Sequence, residues 1–234
     1  MSNKLGAPVG VGSRLFYRFV WSLAWLVVKV LFRFRVFHKE RIPDKGPFIL
    51  APVHRSYLDT PVGALATARR LRWLVKESVW NSRIGGCVVT ALGGFPVERG
   101  SADRAALRAC QEALRRGEPM VMFPEGTRQH GPVVEANKMH AGPAFIAVRA
   151  KVPIVPLGIS GTDRAMPHGV RWIRLSKVVI VVGKPIMPPT VEGRVPRRVV
   201  NELMERVRLG IQEAFNEAQV RTGQLIETEK LVND

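Results

Sequence analysis

Between residues 48 and 221 the chain alternates short apolar runs with longer segments of helical period, and this alternation restricts the fold more than any other feature. The runs at 48–53, 72–75, 87–92, 120–123, 154–159 and 178–182 are short and rich in β-branched and other apolar side chains, so each is predicted to be a strand. Helices are predicted at 61–70, 102–116, 138–150 and 196–221. In the second of these Ser101 is placed to cap, Ala106, Cys110 and Leu114 form an apolar stripe, and Gly117 is placed to end the helix. Pro143 kinks the third or delays its start. Val200, Leu203, Val207, Ile211 and Phe215 recur at helical spacing in the last. Such an order implies an α/β domain, a mostly parallel sheet flanked by helices, and 234 residues suit one such domain with one core. Its expected span is 36–221, between an N-terminal helical segment (1–35) and a polar tail (222–234).

Residues 1–13 are rich in Gly, Ser and Asn and read as loose. The apolar, aromatic stretch 14–34 that follows is interrupted by Arg18 and Lys29, and a spanning helix needs about 20 mostly apolar residues, so it is a poor transmembrane candidate. Wound at about 100° per residue, Arg14, Arg18, Ser22, Lys29 and Arg33 share an arc of roughly 100°, with Trp25 among them. The rest of the circumference is Leu, Val, Phe and Trp. That pattern predicts an amphipathic helix lying in a membrane interface with its basic stripe toward headgroups. The competing expectation is a helix that covers the protein's own core. A signal peptide is disfavoured, because residues 34–37 continue the apolar run where a small-residue cleavage site would be needed.

The formal net charge of +17 favours polyanionic partners: an anionic membrane face, phosphate-bearing substrates or nucleic acid. Nucleic acid is the weaker option, because the arginines are spread along the chain and neither zinc-finger spacing nor an RNA-recognition motif occurs. Cys87 and Cys110 stand alone, without metal-ligand spacing, and no metal or cofactor is implied.

Four stretches carry the chemistry. His54-Arg55-Ser56-Tyr57-Leu58-Asp59 follows the first strand, and Thr60-Pro61 then suggests a capped helix start. A histidine there can take a proton from a hydroxyl, and a carboxylate can orient the ring and support the imidazolium. Gly93-Gly94-Phe95-Pro96-Val97-Glu98-Arg99 delivers one arginine after a turn. Phe123-Pro124-Glu125-Gly126-Thr127-Arg128 presents a carboxylate, a hydroxyl and a guanidinium directly after a strand. Ligands of open α/β sheets bind at the carboxyl ends of the strands, where these three stretches are expected to converge. In Val152-Pro153-Ile154-Val155-Pro156 the prolines are read as shaping a strand entrance. Each also has a plainer reading: Asp59 as a helix cap, Glu125 and Arg128 as a salt bridge across a loop, Gly93-Gly94 as a turn only.

Together and in this order the four stretches resemble the glycerolipid acyltransferases, specifically the bacterial lysophosphatidate (1-acylglycerol-3-phosphate) acyltransferase type. The resemblance covers about residues 36–190. It implies that His54 is the general base and Asp59 its orienting partner. It further implies that Arg99, Glu125, Gly126, Thr127 and Arg128 hold the glycerol phosphate, with Lys138 and Gly142 matching a Lys–Gly pair of that family. Gln129, Glu98, Met139-His140-Ala141 and Pro143 depart from the family pattern. The implied partners are a lysophospholipid acceptor, acyl-CoA or acyl-carrier protein as donor co-substrate, and an anionic membrane surface. The implied place is the cytoplasmic side of the cell membrane, peripheral or monotopic. Other readings are an acyltransferase for another lysophospholipid or lyso-glycolipid, and a non-catalytic anionic-lipid-binding protein. A serine hydrolase would need a nucleophile elbow, and Gly158-Ile159-Ser160-Gly161 has the wrong spacing for one.

Overall fold

The computed structural model describes residues 11–97, 104–167, 169–170 and 172–224. Its elements in chain order are α1 (Val11–Leu31), β1 (Arg35–Phe37), β2 (Ile49–Pro52), α2 (Asp59–Ala64), β3 (Arg72–Lys76), α3 (Arg83–Ala91), β4 (Gly94–Val97), α4 (Arg104–Arg115), β5 (Met120–Val121), α5 (Gly142–Ala150), β6 (Ile154–Ser160), α6 (Thr162–Ala165), β7 (Val179–Val182) and α7 (Arg197–Thr222). Short 3-10 turns occupy Lys39–Arg41, Glu77–Asn81 and Ala136–Lys138.

The seven strands form one sheet in the order β1-β7-β6-β2-β5-β3-β4. Strands β2 to β6 are mutually parallel, whereas β7 runs antiparallel to β6 and takes β1 with it. The carboxyl ends of five strands therefore share one edge, and the His54 and Glu125 stretches leave from neighbouring strands there. All seven residues of β6 are buried, as a central strand covered on both faces requires. Its side chains alternate: Leu157 and Ile159 face Gly63 of α2, while Pro156 and Gly158 face α7, so α2 and α7 cover opposite sides of the sheet. Val200, Leu203, Val207, Ile211 and Phe215 of α7 are all buried, as their spacing predicted.

Several expectations are corrected. The run 87–92 is not a strand but the end of α3, whose N-terminus is closed by Ser82 accepting from the Gly85 N–H. A short apolar run does not by itself distinguish strand from helix. The strand in this region is β4, entered through Gly93 at φ +102, where a Cβ would lie 2.3 Å from the Leu71 carbonyl oxygen. Edge strand β1 was hidden in the tail of the N-terminal apolar stretch. Helix α2 is shorter than expected and begins at Asp59, so Thr60 does not cap it. Helix α5 starts at Gly142 with Pro143 in its first turn, where the missing N–H costs nothing. Cys110 and Leu114 are buried on α4, and Gly117 follows that helix at φ +78; Ser101 lies outside the described residues.

Helix α1 begins at Val11, three residues inside the stretch read as loose, and only part of its apolar circumference covers the protein's own core. Tyr17, Trp21, Ala24, Trp25, Val28 and Phe32 turn toward the protein. The Tyr17 hydroxyl donates to the Arg69 carbonyl and the Trp21 indole to the Ala64 carbonyl. Arg18, Ser22 and Lys29 follow around the helix, and Lys29 lies over the Trp25 ring at 4.3 Å. The remaining arc, roughly 160° at about 100° per residue, exposes Leu15, Phe16, Phe19, Leu23, Leu26, Val27, Val30 and Leu31. No helix among the described residues is long and apolar enough to cross a membrane.

Helix α7 approaches the sheet closely at Gly158, where a Cβ would meet the Ala214 carbonyl carbon and oxygen at 2.2 Å. Because that obstacle is backbone, Gly158→Ala is expected to destabilise the protein by about 3 kcal/mol or more. Gly142→Ala, with nothing within 4 Å of the new methyl, should leave stability unchanged or raise it by about 0.5 kcal/mol. Urea unfolding midpoints of the two variants check this contrast.

Candidate active site

The chain leaves β2 at Pro52, and the Val53 N–H still donates to Leu157 of β6, so the turn from His54 to Leu58 departs from a fixed base. Asp59, at the start of α2, is fully buried. Its Oδ2 accepts from the Arg55 N–H at 2.5 Å, the Ser56 N–H at 2.6 Å and His54 Nδ1 at 3.2 Å. Its Oδ1 accepts from the Thr162 hydroxyl at 2.6 Å. Four donors thus compensate a carboxylate removed from water, the condition under which a buried charge is tolerated. An ionised carboxylate only accepts, so Nδ1 of the neutral His54 ring carries the proton and Nε2 is left as the basic nitrogen. Phe123 packs on that ring with centroids 4.2 Å apart, and the His54 side chain stays partly exposed.

A second buried pair braces the turn from the side of β5. Glu125 is 2% exposed; one oxygen accepts from the His54 N–H at 2.7 Å and the other from Arg55 Nη1 at 2.7 Å. The Arg55 guanidinium also donates to the carbonyls of His54, Gly131 and Val133, and the Gln129 N–H donates to the His54 carbonyl. Glu125 therefore lies beneath the His54 turn with both oxygens engaged by the protein. It is not bridged to Arg128 across the loop.

Arg128 instead reaches over the exposed Tyr57 ring, its guanidinium carbon 3.4 Å from the centroid, and has no carboxylate partner among the described residues. Gly126 and Thr127 are exposed at the same rim. Gly126 sits at φ +64 with the His140 ring 2.6 Å from where its Cβ would be, so glycine is required there. The Thr127 hydroxyl accepts from Gln129 Nε2. Lys138 lies in the Ala136–Lys138 turn, exposed and paired with Glu135 at 2.7 Å. Arg99 and Glu98 lie outside the described residues; β4 ends at Val97, on the same sheet edge as His54 but three strands away.

Sequence reasoning missed Arg55, Ser56 and Thr162. Ser56 donates to the Met166 carbonyl and accepts from the Leu58 N–H. The available signal for Thr162 was its place: Gly161-Thr162 follows β6 at the edge where His54 follows β2. Ser160, the residue a hydrolase would need, is buried and bonded to Thr222 and Gln224. Among the described residues no cluster of His, Cys, Asp and Glu is arranged to hold a metal ion.

Glu125→Ala leaves the buried Arg55 guanidinium uncompensated, and a loss of about 3–5 kcal/mol is expected in denaturant unfolding. Thr162→Val strands one Asp59 oxygen and should cost about 1–3 kcal/mol. Arg128→Ala, at the rim, should change stability by about 0.5 kcal/mol or less.

Comparison with known proteins agrees with this geometry. Residues 33–160 match the model of the Acyltransferase family. A 1-acyl-sn-glycerol-3-phosphate acyltransferase of Bacillus subtilis is 22% identical over 73% of this chain and 82% of its own length. The corresponding protein of Streptococcus pneumoniae is 28% identical over 64% of this chain, but the match spans only 56% of that relative. A lyso-ornithine lipid O-acyltransferase of Pseudomonas aeruginosa is 31% identical over 63% of this chain and 55% of its own length. The crystal structure of the 1-acyl-sn-glycerophosphate acyltransferase from Thermotoga maritima superposes with a TM-score of 0.69 at 25% identity, covering 86% of this chain and 80% of that one. With the family match extending over more than half the chain and containing both the His54–Asp59 turn and the Glu125–Arg128 loop, the protein belongs to the acyltransferase family.

Proposed function

We propose that the protein transfers a fatty acyl group from an acyl thioester, acyl-CoA or acyl-carrier protein, to the free sn-2 hydroxyl of lysophosphatidate, giving phosphatidate. The observation that carries this reading is the His54–Asp59 pair: Nδ1 is held by a buried carboxylate while Nε2 is free at the rim of a mostly parallel sheet. With Nε2 as general base, the acceptor hydroxyl gives up its proton as its oxygen attacks the thioester carbonyl. The tetrahedral adduct collapses with loss of the thiol, and the imidazolium returns its proton to the leaving sulfur. Asp59 stabilises the imidazolium between those steps. Both substrates are present together and no acyl-enzyme forms, so the kinetics are sequential. The scheme uses no metal and no cofactor beyond the thioester.

Arg128 and Arg99 are assigned to the acceptor's phosphate, for which the guanidinium fork suits the oxygens. Gly126 and Thr127 line the approach beside Arg128, Lys138 stands as an outlying cation, and Glu125 acts as a positioning residue through Arg55. The exposed apolar arc of α1, bordered by Arg18 and Lys29, supports docking on the cytoplasmic face of an anionic membrane, where acceptor and product reside. A second acceptor, lyso-ornithine lipid, is favoured by the Pseudomonas relative.

His54→Ala is expected to fold and to lower kcat/KM by about a thousandfold or more. Arg128→Ala should lower kcat/KM for lysophosphatidate by roughly ten- to a hundredfold, mainly through KM, because a charge-assisted contact is worth about 1.5–3 kcal/mol. Arg128→Lys should restore only part of that loss. The measurement is kcat/KM on lysophosphatidate beside a matched neutral lyso-acceptor and lyso-ornithine lipid. Equal losses on all three remove the phosphate assignment, and wild-type preference for lyso-ornithine lipid transfers the assignment to that acceptor.

A further inference from the structure

The connection from α6 to β7 carries three large apolar side chains that are mostly in solvent: Trp172 is 80% exposed, Ile173 59% and Leu175 77%. Arg174 lies between them, Lys177 follows, and both are exposed. Connections are normally polar, and three such side chains within four residues at this exposure form a patch that water solvates poorly. The segment is also pinned at both ends. The Arg174 N–H donates to the Ala165 carbonyl at 2.8 Å, and the next carbonyl, Met166, accepts from the Ser56 hydroxyl of the catalytic turn at 3.1 Å. At its far end the Val178 N–H donates to the Phe32 carbonyl and the Val178 carbonyl accepts from the Arg35 N–H, directly after α1. Gly161, at φ +90, lets the Lys177 carbonyl approach to 2.0 Å of where a Cβ would sit, closing the base of the segment.

This connection therefore joins the end of the exposed apolar arc of α1, at Val30 and Leu31, to the turn that holds His54. Exposed cations border the junction, among them Lys29, Arg33, Arg35, Arg174 and Lys177. We infer that Trp172, Ile173 and Leu175 are a second membrane contact, inserting into the interface of an anionic bilayer beside α1 and holding the catalytic turn close to the lipid surface. The occupant is a bilayer rather than a second copy of this chain because of charge: the protein is at +17, and these cations would face their like in a self-association. Tryptophan favours the headgroup level, and each nearby Lys or Arg gains from anionic lipid. The inference rests on the proposed action on a membrane lipid, and it adds the element that turns the active site toward that lipid.

The test places an environment-sensitive nitrobenzoxadiazole label at Ile173→Cys in a Cys87→Ser background, the other cysteine, Cys110, being buried. With vesicles of phosphatidylglycerol and phosphatidylcholine the emission should shift to the blue and be quenched by nitroxide-bearing lipid. In parallel, Trp172→Ser/Ile173→Ser/Leu175→Ser in the full chain should weaken co-sedimentation with those vesicles about tenfold or more. Turnover of a water-soluble short-chain lysophosphatidate should be unchanged. A label that stays in water while the protein binds vesicles overturns the inference, as does a triple variant that binds them equally well. A triple variant that changes only from dimer to monomer also overturns it, in favour of a second copy as the occupant. Failure of the unaltered protein to acylate the soluble acceptor would count against the proposed function alone, since the label reports insertion without turnover.

Discussion

The buried carboxylate of Asp59 is the interaction on which the rest of the site depends. It accepts two backbone N–H groups of its own turn, the imidazole of His54 and the hydroxyl of Thr162 beyond β6. One side chain thereby fixes the path of the chain after β2, ties it to the loop after β6, and selects the tautomer of the base. A single negative charge can serve all three ends because the low-dielectric surroundings strengthen each hydrogen bond and penalise any left unmade. The same burial removes Asp59 from the surface, so in the proposed reaction it acts through His54.

In the proposed reaction, chemistry and recognition around this centre are separated by depth. Arg55 and Glu125 form a buried pair that locks the His54 turn to the loop after β5. Breaking such a pair is costly whatever its net worth when intact. Arg128 and Thr127 project from that same loop at the rim, where their surroundings are adjustable. A family built on this plan can vary the rim to suit different lyso-acceptors while the buried pairs hold the base in place. The relatives acting on glycerol phosphates and on ornithine lipid are compatible with that division.

The sequence made the site's outline legible and much of its wiring illegible. His54 and Asp59 were readable because a five-residue spacing after an apolar run places both in one strand-to-helix turn. The strands that support the site were readable as short apolar runs alternating with segments of helical period. Residues 87–92 were misread because valines in a short apolar run suit either strand or helix, and the deciding Ser82 cap lay outside the run. The role of Glu125 was hidden because its partner Arg55 is 70 residues away, and only the adjacency of β2 and β5 brings them together. Thr162 was hidden for the same reason, 103 residues from Asp59. Helix α1 looked like a choice between membrane and core because periodicity reports an apolar arc and not which part of it the protein covers.

The proposed reaction requires that Asp59 hold His54 as the Nδ1–H tautomer, with Nε2 free to take the acceptor's proton. Nitrogen-15 NMR of histidine-labelled protein at a pH where the ring is neutral reads this directly. A protonated Nδ1 in slow exchange with solvent and an unprotonated Nε2 are expected, with that preference lost in Asp59→Asn. A His54 ring protonated at Nε2, or one whose tautomer is indifferent to Asp59→Asn, would contradict it.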